Sequence, residues 1–212
     1  MHIEAVKQVF RPLKRGLSRA FDFKSGIMLS RSVPARKSYV SAVAGQSGVE
    51  LRRVDAFRPD LPVSAMQFHL RQESGNHLFE LLVDERPVCF GWVASGGTRI
   101  GVLHHLSLSV PENAFYIWDC ITPRSFRGNG YFQQLLGHIL LRHPAGATAL
   151  VAVDYRNAAS RAALGRAGFT PEFTYVSARA CGYRCLSFAI NRGRIQAAQP
   201  SFDAFSQRIL AT

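Results

Sequence analysis

One stretch limits the folds open to this chain more than any other. The apolar run Ala114–Thr122 reads as a strand and stops at Pro123. Arg124-Ser125-Phe126-Arg127-Gly128-Asn129-Gly130 follows as a loop, and Phe132, Leu135, Leu136, Ile139 and Leu140 then fall on one face of a helix. A turn from strand into helix presents unpaired backbone N–H groups and the positive end of the helix dipole. Its glycines let the backbone approach an anion closely, and Arg124 and Arg127 add full charges. The unit is a phosphate cradle. It is not the Gly-Lys-Ser/Thr phosphate loop, because no such triplet follows. It is not the dinucleotide fingerprint either, because the glycine spacing differs and the preceding strands read as antiparallel.

Around this unit the chain reads as a mixed α/β or α+β sheet with one crossover in its middle. Val49–Val54 alternates like an opening strand, and residues 60–72 read as a helix with Pro62 near its start. Leu78–Val83 and Val88–Ala94 form a hairpin around Asp84-Glu85-Arg86-Pro87. Val102–Val110 reads as one half-buried strand, with Leu106, Leu108 and Val110 alternating against polar neighbours. After the cradle come a buried strand, Ala149–Val153, and an Ala-rich helix, Ala158–Ala167, capped by Gly168. Strands at Phe173–Val176 and Arg184–Ile190 and a small helix carrying Phe202, Phe205 and Ile209 complete the chain.

The N-terminus is different. Ile3, Val6, Phe10, Leu13, Leu17 and Phe21 recur at helical spacing over residues 3–22, interrupted by Pro12. Residues 24–47 read as a loose connection with one short strand at Ile27–Leu29. Residues 1–37 hold nine basic and two acidic side chains, so they carry +7 of the chain's net +12. Such a charge calls for an acidic partner, and here that is mostly an N-terminal question. Either the helix docks on its own domain with its cations solvated, or it meets an anionic membrane or an acidic protein.

Composition excludes other classes. With 47% hydrophobic residues among 212, most of the chain can offset its ordering entropy, so disorder is excluded for the bulk of it. No run approaches the ~20 apolar residues of a membrane-spanning helix. Residues 1–25 lack the apolar core of a secretory signal, and the cysteines (Cys89, Cys120, Cys181, Cys185) fit thiols in a reducing compartment. The cytoplasm is the expected location, at the inner face of a membrane if the basic segment binds one. No metal site is expected, because Cys181 and Cys185 have no second pair or spaced His.

The cradle reads Arg127-Gly128-Asn129-Gly130-Tyr131-Phe132, and downstream Asn157 is paired with Gly168-Phe169 eleven residues on, with the small Ser160 between. In these two motifs the chain resembles the GNAT family of acyl-CoA N-acyltransferases. The resemblance covers roughly residues 48–190. It implies three regions: a basic helical extension and connection (1–47), a GNAT-like domain (48–190) and a tail with a short helix (191–212). It also implies a central, mostly antiparallel sheet, flanked by helices and splayed between its fourth and fifth strands, with acyl-CoA in the slot. The pyrophosphate would sit on the amides of Arg127, Gly128, Asn129, Gly130, Tyr131 and Phe132. The pantetheine would pair with the backbone at Cys120, Ile121 and Thr122, and Asn157 and Ser160 would flank it. Arg142 or Arg161 would add to the charge around the phosphates. The implied reaction moves an acetyl or longer acyl group from acyl-CoA directly to a primary amine, through a tetrahedral intermediate.

Two positions depart from the family pattern. Phe132 stands where Gly or Ala is usual, and Leu164 stands where many relatives carry a Tyr that protonates the leaving thiolate. Ser160 and Tyr155 are the nearest hydroxyls, and Ser160 is the preferred acid. Asp119, set among Ile117, Trp118 and Ile121, is either a catalytic base or a carboxylate satisfied by backbone and arginine. Glu80 and one of His104 and His105 are further candidates for the base, and Trp92 reads as core. The acceptor is expected to be a small molecule, an amino sugar or amino acid rather than a protein. Residues 78–132 resemble a bacterial subset of the family found among surface-polysaccharide genes. An acidic acyl carrier protein as donor, docking through Lys14 and Arg15, and a binding module without turnover are the competing readings. Nucleic acid is not expected, for want of any aromatic–basic interleaving. A homodimer is compatible with this reading.

Overall fold

The computed structural model describes residues 21–35, 48–103, 106–180 and 183–211. The helix read over residues 3–22 falls outside these except for Phe21 and Asp22, which open a strand. Lys14, Arg15, His104, His105 and Cys181 also lie outside the described residues.

Eleven strands and four α-helices are described. In chain order they are β1 (Phe21–Ser32), β2 (Val49–Val54), α1 (Ala65–Glu73), β3 (Asn76–Val83), β4 (Arg86–Ala94), β5 (Arg99–Leu103), β6 (Leu106–Ser109), β7 (Ala114–Ile121), α2 (Tyr131–Leu141), β8 (Thr148–Asp154), α3 (Ala158–Arg166), β9 (Thr170–Ala180), β10 (Tyr183–Asn191), β11 (Arg194–Ala197) and α4 (Ala198–Leu210). Nine strands form one sheet in the order β11-β10-β9-β1-β8-β7-β4-β3-β2. Every neighbouring pair is antiparallel except β7–β8, which the α2 crossover makes parallel. Among the described residues no helix is long and apolar enough to cross a membrane.

Alternation along the strands builds two cores. Ile27, Leu29, Ile117 and Val151 face α2 and α3, where Leu135, Leu136, Ile139, Leu140 and Leu164 meet them. Met28, Tyr116 and Leu150 point the other way, onto Phe202 and Phe205 of α4. On that same side Phe68 of α1 packs against Leu78 and Trp92. α1 starts at Ser64, whose hydroxyl accepts from the Gln67 N–H at 3.3 Å.

Two expectations about strands are corrected. The short strand at Ile27–Leu29 is the middle of a twelve-residue strand, β1, which pairs with β8 on one side and β9 on the other. In its first half Phe21 and Phe23 alternate with Asp22 and Lys24, but Phe23 is exposed and Phe21 also continues the helical spacing of residues 3–22, so only the buried centre read as a strand. The single strand expected at Val102–Val110 is instead part of a separate hairpin, β5–β6. Its apolar side, with Ile100, Leu106 and Leu108, is buried with α4 rather than in the main sheet. Gln199 of α4 clamps it by accepting from the Ser107 N–H and donating to the Ser107 carbonyl, both at 3.0 Å.

Candidate active site

The sheet opens where β7 and β8 part. Their pairing runs from Ala114–Thr148 to Ile117–Val151 and stops, although β7 continues to Ile121 and β8 to Asp154. A bulge supplies the physical cause. On the other side of β7, Trp92 faces Trp118 and Phe90 faces Ile121, so β7 holds one residue more than β4 over that span. Asp119 lies in the bulge with φ 46°, a left-handed conformation uncommon outside glycine. Beyond it, the edge of β7 that faces β8 has no strand partner among the described residues.

Two cavities flank the gap. The larger, about 690 Å³, lies on the α2/α3 side. Of the residues named for the donor, Cys120, Ile121, Thr122, Arg127, Gly128, Gly130, Tyr131, Phe132, Asn157 and Ser160 line it. Asn129 is not in its wall; its amide donates to the Phe126 carbonyl at 3.2 Å and steadies the loop. Gly128 and Gly130 sit at φ 87° and 76°, and Gly130 is the N-cap of α2, so the chain enters the helix through a conformation that favours glycine. The first N–H groups of α2 are left without helical acceptors there. Arg127 donates through Nε to the Thr122 carbonyl at 3.0 Å, which anchors its side chain at the mouth. Arg166, at the end of α3, lines the same cavity, and with the Gln133 amide oriented to accept from it their separation is 2.8 Å. Nothing in its sequence context marked Arg166. Of the other arginines considered, Arg124 is not in the wall of this cavity, Arg142 donates to the Leu51 carbonyl at 2.8 Å, and Arg161 lies over the Tyr155 ring at 5.1 Å.

Asn157 caps α3, its Oδ1 accepting from the Ser160 N–H at 3.1 Å. Its amide nitrogen has no protein partner among the described residues. Phe132 both lines the cavity and packs on the core, so its bulk turns partly inward. Leu164 is 1% exposed and apolar, and Tyr155 is absent from the cavity wall, which leaves Ser160 as the α3 hydroxyl beside the slot. The Cys120 thiol stays protonated, because burial pushes it well above its ordinary value.

The second cavity, about 460 Å³, lies on the α1/α4 side, walled by β1, α1, the β5–β6 hairpin and Tyr175. Gly26 lets the Tyr175 side chain lie across β1 in this wall, since a Cβ there would collide with its ring and hydroxyl. Trp118, Asp119, Ala152, Val153 and Asp154 line both cavities, so the two meet at the gap.

The candidate acid–base residues separate in space. Asp119 sits at the junction, and Arg71 of α1 donates to it through Nη1 at 2.6 Å. Arg71 is 48 positions away and was not singled out in the sequence, where it is one cation among many on an amphipathic helix. Glu80 lines neither cavity. It is fully buried and gripped by Arg52 (2.6 Å) and by both ends of the Arg58 fork (2.5 and 3.0 Å). Burial opposes its charge, but the hydrogen bonds from Arg58 and Arg52 outweigh that and hold its carboxyl below the usual range. Trp92 is 1% exposed and belongs to the core, as its sequence context indicated.

A search of curated proteins gave no match. Among solved structures, a functionally unknown conserved protein from Staphylococcus epidermidis is similar over 79% of this chain and 66% of its own, at 12% identity and TM-score 0.51, which shows a shared fold. A putative GNAT-family acetyltransferase from Novosphingobium aromaticivorans (12% identity, 76% and 66% covered, TM-score 0.45) is also similar. So is a GCN5-related N-acetyltransferase from Sphaerobacter thermophilus (14% identity, 80% and 56% covered, TM-score 0.48). The chain thus spans two thirds or less of the lengths of these proteins. The sequence model of the Acetyltransferase (GNAT) family matches residues 54–169, which is more than half of the chain and includes the bulge, the glycine loop and the Asn157 cap. With a sheet split beside a glycine-opened helix and this match across it, the chain belongs to the GNAT family of acetyltransferases.

Proposed function

We propose that the protein transfers an acetyl or longer acyl group from acyl-CoA to the primary amine of a small molecule, by direct attack with both substrates bound. The observation that carries this reading is the pair of cavities on opposite faces of the sheet, meeting at Asp119. Acetyltransferases of this family take acetyl-CoA as co-substrate, and it supplies the acyl thioester.

The residues on the larger cavity suit it. The N–H groups opening α2, with Arg127 and Arg166, form a cationic bed for a pyrophosphate. The unpaired β7 edge offers amide hydrogen bonds to an extended arm, and the Asn157 amide adds a donor from α3. An amine entering from the other face reaches Asp119, which takes its proton. The nitrogen then bonds to the acyl carbon as the carbon–sulfur bond breaks. Ser160 is placed to hand a proton to the sulfur, a task closed to Leu164.

Calorimetry with acetyl-CoA and longer acyl-CoAs tests the donor. Arg127→Glu is expected to weaken binding by about tenfold or more, since it reverses a charge beside the phosphate bed. No binding of any acyl-CoA, or an unchanged affinity in Arg127→Glu, overturns the reading. Asp119→Asn is expected to lower kcat by about 100-fold while leaving acetyl-CoA affinity intact, as loss of a general base does.

A further inference from the structure

The smaller cavity is built around a guanidinium that other side chains hold still. Arg71 lies over the Trp118 ring at 4.5 Å from its centroid and over the Trp92 ring at 5.0 Å. Trp118 is itself fixed, its Nε1 donating to Asn76 Oδ1 at 3.1 Å, and the Asn76 amide donates back to the Arg71 carbonyl at 3.0 Å. One nitrogen of the fork, Nη1, goes to Asp119. Among the described residues Nε and Nη2 have no hydrogen-bond partner, and Arg71 forms part of the cavity wall. A planar fork locked by stacking, with donors left over at a cavity, suits a carboxylate and loses little entropy on binding it.

The neighbouring charges narrow the ligand further. Asp119 sits 2.6 Å from Arg71 and faces the donor cavity as well. Lys24 and Asp154 are the other charged groups in the wall. Lys24 is loosely paired with Asp22 at 3.8 Å, and one Asp154 oxygen accepts from the Arg156 N–H at 2.7 Å. The site therefore presents adjacent positive and negative poles. A ligand that is only a cation, an amino sugar included, could meet the carboxylates but would leave the Arg71 fork unsatisfied. An amino acid carries an ammonium and a carboxylate on the same carbon atom, so it can lie antiparallel to the Arg71–Asp119 pair and satisfy both poles. The volume, about 460 Å³, lies within the range of small-molecule sites, roughly 300–1,000 Å³.

We propose that the acceptor is an amine that also bears a carboxylate, an amino-acid-like zwitterion, held by Arg71 through its carboxylate and by Asp119 through its amine. This rests on the acyltransferase reading above. Asp119 takes one proton from the ammonium, and the nitrogen attacks the acyl carbon. The carbon–sulfur bond breaks, and the second proton shed by the nitrogen balances the one gained by sulfur.

The test uses the full chain loaded with acetyl-CoA and the twenty common amino acids, each beside its carboxamide and its decarboxylated amine. Binding is read by calorimetry and transfer by thiol release. At least one amino acid is expected to exceed its two analogues by about tenfold or more in kcat/KM, the value of one charge-assisted contact. Arg71→Gln is expected to shrink that preference toward one, mainly through KM, and Arg71→Lys to restore part of it. Equal or better use of the analogues overturns the proposal. So does an equal loss on acid and carboxamide in Arg71→Gln, which would make Arg71 only the holder of Asp119. Acetyl-CoA binding with neither binding nor turnover of any amino acid overturns it too. Absence of acetyl-CoA binding would instead strike the acyltransferase reading itself.

Discussion

At the residue scale, the two carboxylates singled out from the sequence have opposite fates. Both sit in apolar contexts, and nothing local separates Glu80 from Asp119. The difference lies in which distant arginines reach them: Arg52 and Arg58 enclose Glu80 away from either cavity, whereas Arg71 touches Asp119 at the gap. Glu80→Gln is therefore expected to act on stability, lowering it by about 2–3 kcal/mol in a urea titration, because two arginines lose the charge they converge on. Its folded carboxyl lies below the unfolded value, so its contribution is complete above about pH 4.3 and is lost as pH falls through the folded value. His143 shifts in the same direction for another reason. Burial against Phe115, at 3.5 Å between ring centroids, lowers it to about 4. The unfolded chain then binds the extra proton first, so stability falls as pH drops from about 6.5 toward 4. Replacing His143 by Phe is expected to flatten that part of the pH–stability curve, and an unchanged slope would contradict the assignment.

At the element scale, local pattern served where an element buries one face. The β3–β4 hairpin, α2 and α3 appear close to where periodicity and turn residues put them. It failed where an element's partner is remote. β6 alternates as a sheet strand does, yet its apolar side is buried with α4, some 90 residues later. The loop into α2 is the clearest success, since Gly128 and Gly130 hold the positive φ that the turn needs. Gly130→Ala is expected to cost about 1 kcal/mol of stability from backbone strain alone and to weaken acetyl-CoA binding. Thermal unfolding and calorimetry on the same variant separate the two effects. The bulge in β7 carried no such signal. Trp118-Asp119-Cys120 reads as an uninterrupted strand, and the extra residue shows in the register against β4 and in the positive φ of Asp119.

At the scale of the whole molecule, β1 is the piece that ties the fold together. It lies between β8 and β9, so residues outside the family match complete the middle of the sheet. A fragment limited to residues 48–190 is expected to lose cooperative unfolding, because removing β1 strips the ladders from both neighbours and exposes Met28, Ile27 and Leu29 contacts. A sharp thermal transition in that fragment would refute this. By itself the sequence determined the strand–glycine–helix unit, the pairing of Asn157 with Gly168-Phe169, the order of most elements and hence the family, because each depends on neighbours within a few residues. Tertiary structure alone decided that β1 is central, that the gap opens at Asp119, and that Arg71 rather than a residue near Asp119 in the chain pairs with it. Those features depend on contacts between segments dozens of residues apart, where strand register and side-chain packing, not local periodicity, set which groups meet.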